Sequence, residues 1–361
     1  MSPLIGLLNR THRYSDRPLF SPRLAVIVQA LVAIVLIASC AQATIAPTST
    51  TAPTITPTPT LIPTPVATLG TTAESLPSPD PEWSDRLTHL LALIPSNHSP
   101  AIFLDVKAAL ADPDIRQSLD LEVLGLLDTL QPGASTSVDS AVVAFRQDGG
   151  GLVTVIRGVL DVDGLLTAAG GLGLVAPSPE PERYRGYDVR SVDVFGISLA
   201  LASVDGSTLV IATGSPSGGA TGTEQVKAAL DSSDGLAAGL LDDPKTARLV
   251  SELPSGITAV VLGDCANLAA LLSLDTLQGC TVAAISAEVD DADSGEINAI
   301  VGYEDEAQAA AAKGLIGLLG VELEGLSLER IAILQEDSLL RLRLPADISQ
   351  IESVFEALGI P

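Results

Sequence analysis

The chain has 361 residues, 47% of them apolar, which is enough to bury a sizeable core and too much for global disorder. It carries 19 basic and 44 acidic side chains and only 3% aromatic residues. Such a surface repels phosphate backbones, and so few rings leave little to stack on bases or sugars, so nucleic-acid partners and aromatic sugar platforms are excluded.

The N-terminus reads as an address. Arg10, Arg13, Arg17 and Arg23 precede Leu24 to Ser39, a stretch of 16 residues whose only polar side chains are Gln29 and Ser39. A basic region followed by an apolar one is the pattern of an export signal. As a helix the apolar stretch reaches only about 24 Å, short of the ~30 Å hydrocarbon core that a stable span must cross.

Ile37, Ala38, Ser39 and Cys40 follow directly. This run resembles the lipobox of bacterial prolipoproteins, in which small residues admit the chain to a peptidase cleft and the cysteine thiol takes up diacylglycerol. The resemblance implies a signal peptide over 1–40, cleavage before Cys40 and lipidation of Cys40. An uncleaved signal anchor is the alternative, and either attaches the protein to the outer face of a bacterial cell membrane.

From 41 to 82 the composition changes abruptly: 12 Thr, 9 Pro and 3 Ser, with no Lys or Arg. Such a segment cannot bury a core. It predicts a disordered linker whose prolines favour extended geometry, reaching on the order of 130 Å when stretched. The part beyond residue 40 holds 15 basic against 43 acidic side chains, a balance suited to solubility outside the cell.

Beyond Trp83 the pattern is globular and is written twice. Leu93 to Ser96 lead into an apolar strand, Ala101 to Leu104, that ends at Asp105 before a helical stretch; Leu253 to Ser255 lead into Ile257 to Leu262, then Asp264 and another helical stretch. Hairpins follow, Ser140–Phe145 with Leu152–Val159 and Thr281–Val289 with Glu296–Tyr303, each joined through Asp and Gly. A helix comes next in each copy, Asp161–Ala169 and Glu304–Leu319. A second meander is introduced at Arg185 to Tyr187 and at Glu324 to Leu326, and turns at Asp205–Gly206 and at Glu336–Asp337. Each copy closes on a helix, Thr223–Leu230 and Ile348–Leu358.

The expected fold class is α+β: two similar halves, 83–232 and 245–361, each an antiparallel sheet with helices on one face. They share one continuous sheet or pack around a cleft, and Asp231 to Pro244 forms the boundary. This order of elements resembles an uncharacterised family of exported bacterial α+β domains carried behind lipoprotein signals and Pro/Thr stalks, over about residues 90 to 361. The resemblance carries no catalytic residue across.

Candidate chemistry is sparse. Cys265 and Cys280 can bridge outside the cytoplasm, but a straight helix would hold them ~20 Å apart against the ~4.4–6.8 Å that Cα atoms require. A disulfide therefore needs the chain to fold back near Asp275 to Gly279; two separately buried thiols are the alternative. His89 and His98 lack partners at ligand spacing and are expected at the surface beside the first strand. No Gly-x-Ser-x-Gly elbow exists, and none of Lys107, Lys227, Lys245 and Lys313 stands three residues after a serine.

The glycine run Gly171 to Ala176 follows a helix and meets Pro177, the wrong context for a dinucleotide site. The carboxylates Glu288, Asp290, Asp291, Asp293 and Glu296 miss the spacing of a calcium loop and read as a solvated hairpin tip. No metal or other cofactor is expected. The reading is a membrane-anchored envelope module that binds a ligand or another envelope protein; the rivals are a carboxylate-based extracytoplasmic hydrolase and a structural spacer.

Overall fold

The computed structural model describes residues 77–112, 133, 137–148, 150–171, 180–194, 197–214, 220–263, 265, 279–291, 294–319 and 332–346. The signal segment with Cys40, the linker up to residue 76, the closing helix expected over Ile348–Leu358, the stretch after Asp264 and the meander start at Glu324 lie outside the described residues.

The described part opens on helix α1, Pro81–Leu91, whose N-cap is Asp80 and whose first residue is proline. Asp80 accepts a hydrogen bond from the Trp83 amide, and Pro81 sacrifices no bond because the first helical N–H has no partner in any case. Strand β1, His98–Leu104, runs into α2, Val106–Ala111, which is capped by Asp105 as the sequence predicts. Strands β2, Val138–Arg146, and β3, Leu152–Gly158, form the first hairpin.

Helix α3 spans Val162–Gly171. Then come β4, Glu182–Tyr184, β5, Tyr187–Val194, β6, Ile197–Asp205, and β7, Thr208–Thr213. Helix α4, Gly222–Ser233, begins with a capping box between Thr221 and Glu224. A short 3-10 turn, Leu240–Asp242, precedes α5, Pro244–Glu252, which repeats the Asp-then-Pro start with Asp243 as cap. The chain continues through β8, Thr258–Leu262, β9, Cys280–Asp291, β10, Ser294–Tyr303, α6, Glu306–Leu319, β11, Ala332–Glu336, and β12, Leu339–Ala346.

The twelve strands of the described residues join one antiparallel sheet in the order β11-β12-β10-β9-β8-β1-β2-β3-β7-β6-β5-β4. The α+β class therefore holds, and the strands form one continuous sheet with β1 and β8 paired at its middle. Side chains alternate across a strand, so neighbours in sequence serve opposite cores. Val282 and Ala284 of β9 join the core that holds Leu87, Leu90 and Leu91 of α1, Val226 and Leu230 of α4, and Leu249 of α5. Ala283, Ile285 and Ala287 join a second core with Ala309, Ala312 and Ile316 of α6. A third cluster places Leu166 of α3 with Leu201 and Leu209.

Helices thus lie on both faces of the sheet, and the expectation of one helical face is corrected. The physical reason is the two-sided burial of the central strands: β8 reads Thr-Ala-Val-Val-Leu with both parities apolar, so each face needs cover. The segment 231–244 expected as a boundary is itself packed. Leu240 is buried, its amide donates to Ile94, and Pro95 bridges Gly239.

Candidate functional site

Three polar groupings sit within these apolar layers. The first lies beneath α1 at one end of the sheet. Trp83, Arg86 and His89 are spaced by three residues and reach from the helix to three different segments: the loop before β8, the end of β1 and the start of β7. Trp83 Nε1 donates to the Gly256 carbonyl at 2.6 Å and its ring meets Phe103 edge-on, with centroids 5.6 Å apart. Arg86 pairs with Asp105 at 2.6 Å, and His89 Nε2 lies 3.4 Å from Thr208 Oγ1.

Under the helix a row of polar side chains crosses four neighbouring strands. Ser140 faces Arg157 in register, Arg157 faces Thr208, and Asp105 follows Leu104, the last residue of β1 paired with β2. Each shares parity with residues of the core that holds α1: Ser140 with Val142 and Ala144, Arg157 with Val153 and Val155, Thr208 with Val210 and Ala212. Asp105 is committed twice, to Arg86 and to the Ala108 amide at the start of α2. Asp205 likewise accepts from Ser207 and Thr208, and these hydrogen bonds outweigh its burial and hold its carboxyl below the usual carboxylate range.

Two members of the row are left over. Ser140 is fully buried and its hydroxyl has no partner; the Nε of Arg86 is also buried and unpaired. Arg157 is half-buried and, alone among the described arginines, makes no ion pair with a carboxylate.

The second grouping corrects the placement of His98. This residue is 1% exposed, at the start of β1, because α4 covers it. Its Nε2 lies 3.0 Å from Gln225 Oε1 and its Nδ1 lies 2.8 Å from Asn97 Oδ1. Gln225 in turn donates through Nε2 to the carbonyls of Gly150 and Thr213. Those two carbonyls fix the amide's orientation, so His98 must donate from Nε2. A neutral ring then requires Asn97 to turn its amide nitrogen toward Nδ1.

Burial lowers the pKa of His98, opposed by the hydrogen bond to Gln225; the charge of Arg146 lowers it further and Asp148 works against that. Gly151, at φ +125°, lets the hairpin approach so closely that a Cβ there would meet the Thr213 carbonyl at 2.3 Å. His89, by contrast, is exposed on α1.

The third grouping is Asn298 of β10 and Ser286 of β9, registered opposite each other, 1% and 0% exposed. Neither end of the Asn298 amide nor the Ser286 hydroxyl has a partner. Nearby, Arg343 pairs with Glu296 at 2.5 Å, and Arg341 bridges Glu252 and Glu336. Tyr303 ends β10 with its hydroxyl buried and unpaired, and burial pushes its pKa up to about 12.

The two distal cysteines come together: Cys265 and Cys280 have Cα atoms 5.4 Å apart and their sulfurs are joined. Cys40 lies outside the described residues. Among the described residues no cluster of His, Cys, Asp and Glu is arranged to hold a metal, and no helix is long and apolar enough to cross a membrane. Arg157 and Ser140 escaped the sequence reading, although the signal was there. Each is a polar residue at the buried parity of an otherwise apolar strand.

No family model matches the chain, and no curated protein matches it. Solved structures of TP0453 align with about three quarters of the chain. Crystal form III aligns at 10% identity with a TM-score of 0.47, covering 74% of this chain and 97% of that one. Crystal form I gives 10% identity and 0.44 over 74% and 96%, and crystal form IV gives 9% and 0.47 over 73% and 95%.

Proposed function

We propose that this chain is an exported lipoprotein, tethered through Cys40 to the outer face of a bacterial cell membrane, whose α+β part is a binding module on a Pro/Thr stalk. The address rests on the arginine-rich start, the short apolar stretch and the run Ile37 to Cys40. The joined sulfurs of Cys265 and Cys280 support it, because such bonds persist in oxidising compartments.

Binding is carried by one observation, the polar row under α1 in which Arg157 and the buried Ser140 hydroxyl have no partner. Native interiors rarely leave such groups unserved, and where they do the place is usually one a ligand or bound water completes.

Two similar halves are part of the same reading. Outward from the β1–β8 pair the strands run β1-β2-β3-β7-β6 on one side and β8-β9-β10-β12-β11 on the other. Each half opens on a helix that starts Asp then Pro, α1 before β1 and α5 before β8, and the two helices touch. A tandem arrangement of this kind would place the α1 row in the first half and the Asn298–Ser286 pair in the second.

The address is tested by growing the producing cells with radiolabelled fatty acid. Label should enter the wild-type chain and be lost in Cys40→Ala. Equal labelling of the two would refute the lipoprotein assignment.

A further inference from the structure

We propose that the row beneath α1 binds a small oxyanion, a phosphate or carboxylate group, with Arg157 as its cation and Ser140 as its hydroxyl donor. This rests on the reading of that sheet end as a binding site and names the class of ligand it takes.

Charge selects the class. In a chain with 44 acidic and 19 basic side chains, an arginine without a carboxylate is the unusual case. Two acids of the row are already committed: Asp105 to Arg86 and the α2 amide, Asp205 to Ser207 and Thr208. Arg157 makes no ion pair with either of them, which leaves its guanidinium fork open to an oxyanion.

Geometry selects the same class. A guanidinium presents a planar fork that matches the two oxygens of a carboxylate or phosphate. Ser140 stands opposite Arg157 on the neighbouring strand and on the same face, where paired side chains lie ~4.5–5.5 Å apart at Cβ. Its hydroxyl is the donor an oxyanion needs and, unserved, is a standing cost to the fold. Solvent reaches the row at Arg157, which is half-buried; Val159, two residues further on and just past β3, is 72% exposed. Arg86, with 29% of its side chain exposed and Nε unpaired, lies over the same row from α1.

The full chain in detergent micelles is examined by saturation-transfer difference NMR with three probes: glycerol 3-phosphate, glycerate and glycerol. The phosphate, the carboxylate or both should bind while glycerol does not, and which anion responds identifies the group. Arg157→Gln should weaken binding about ten-fold or more, the effect of losing a charge-assisted hydrogen bond, and Ser140→Ala should weaken it less. Cooperative urea unfolding with midpoints no lower than wild type certifies that both variants fold.

If glycerol binds as well as either anion and loses its signal in Ser140→Trp, the row binds without using charge and the oxyanion proposal alone falls. If anion binding survives Arg157→Gln undiminished, the proposal also falls. If none of the three probes responds, the binding-site reading falls with it.

Discussion

Gln225→Leu tests the clamp that fastens α4 to the strands. Gln225 is 2% exposed, and its amide serves three groups: the Gly150 carbonyl at 3.1 Å, the Thr213 carbonyl, and His98 Nε2 at 3.0 Å. Leucine fills much of the same volume and adds apolar contact but serves none of them. Each buried group left without its partner costs about 1–3 kcal/mol, and three in one network, partly offset by the apolar gain, should cost about 3–5 kcal/mol.

That is a large share of the ~5–15 kcal/mol stability of a typical domain. Equilibrium urea unfolding should show the midpoint falling with an unchanged slope. A loss below about 1 kcal/mol would mean that water or a neighbouring side chain takes over the three bonds, and the argument that this network fixes the tautomer of His98 would collapse with it.

Other outcomes follow from the same structure. His98 titrates below its ordinary value of 6.5 because it is buried, so the unfolded chain binds the proton more readily; its contribution to stability is complete above pH 6.5 and declines as pH falls from 6.5 toward the lower folded value, and His98→Phe should flatten that part of a urea-midpoint profile. Replacing both Cys265 and Cys280 by serine, which opens a loop of sequence separation 15, should cost about 3 kcal/mol, and reductant should lower the wild-type urea midpoint to that of the variant while leaving the variant unmoved. Asn298→Leu removes a buried amide with no partner at either end and should raise stability by about 1–2 kcal/mol in the same assay, whereas a loss would reveal that the amide is served by bound water.

Local signals determined much of the secondary structure. The alternation in Ser140–Phe145, the Asp-Gly turns and the Asp105 cap act over a few residues, so the strand and helix they predict correspond to β2 and α2. The starts of α1 and α5 were equally legible in Asp80-Pro81 and Asp243-Pro244, yet the first was absorbed into a proline-rich stretch and the second into an expected boundary. Their caps identify them only once the helices are known to have an apolar face to bury.

The sequence by itself determined the class of the fold, the acidic balance and the order of most strands, because these follow from composition and near-neighbour periodicity. Only the tertiary structure decided that β1 and β8 meet, that helices cover both faces, that His98 is enclosed by Gln225, and that Ser140 stands beside Arg157. Those pairings join residues up to 160 positions apart on the chain, as Ala101 and Val261 are, and no local rule of spacing encodes which distant strand a given edge will find.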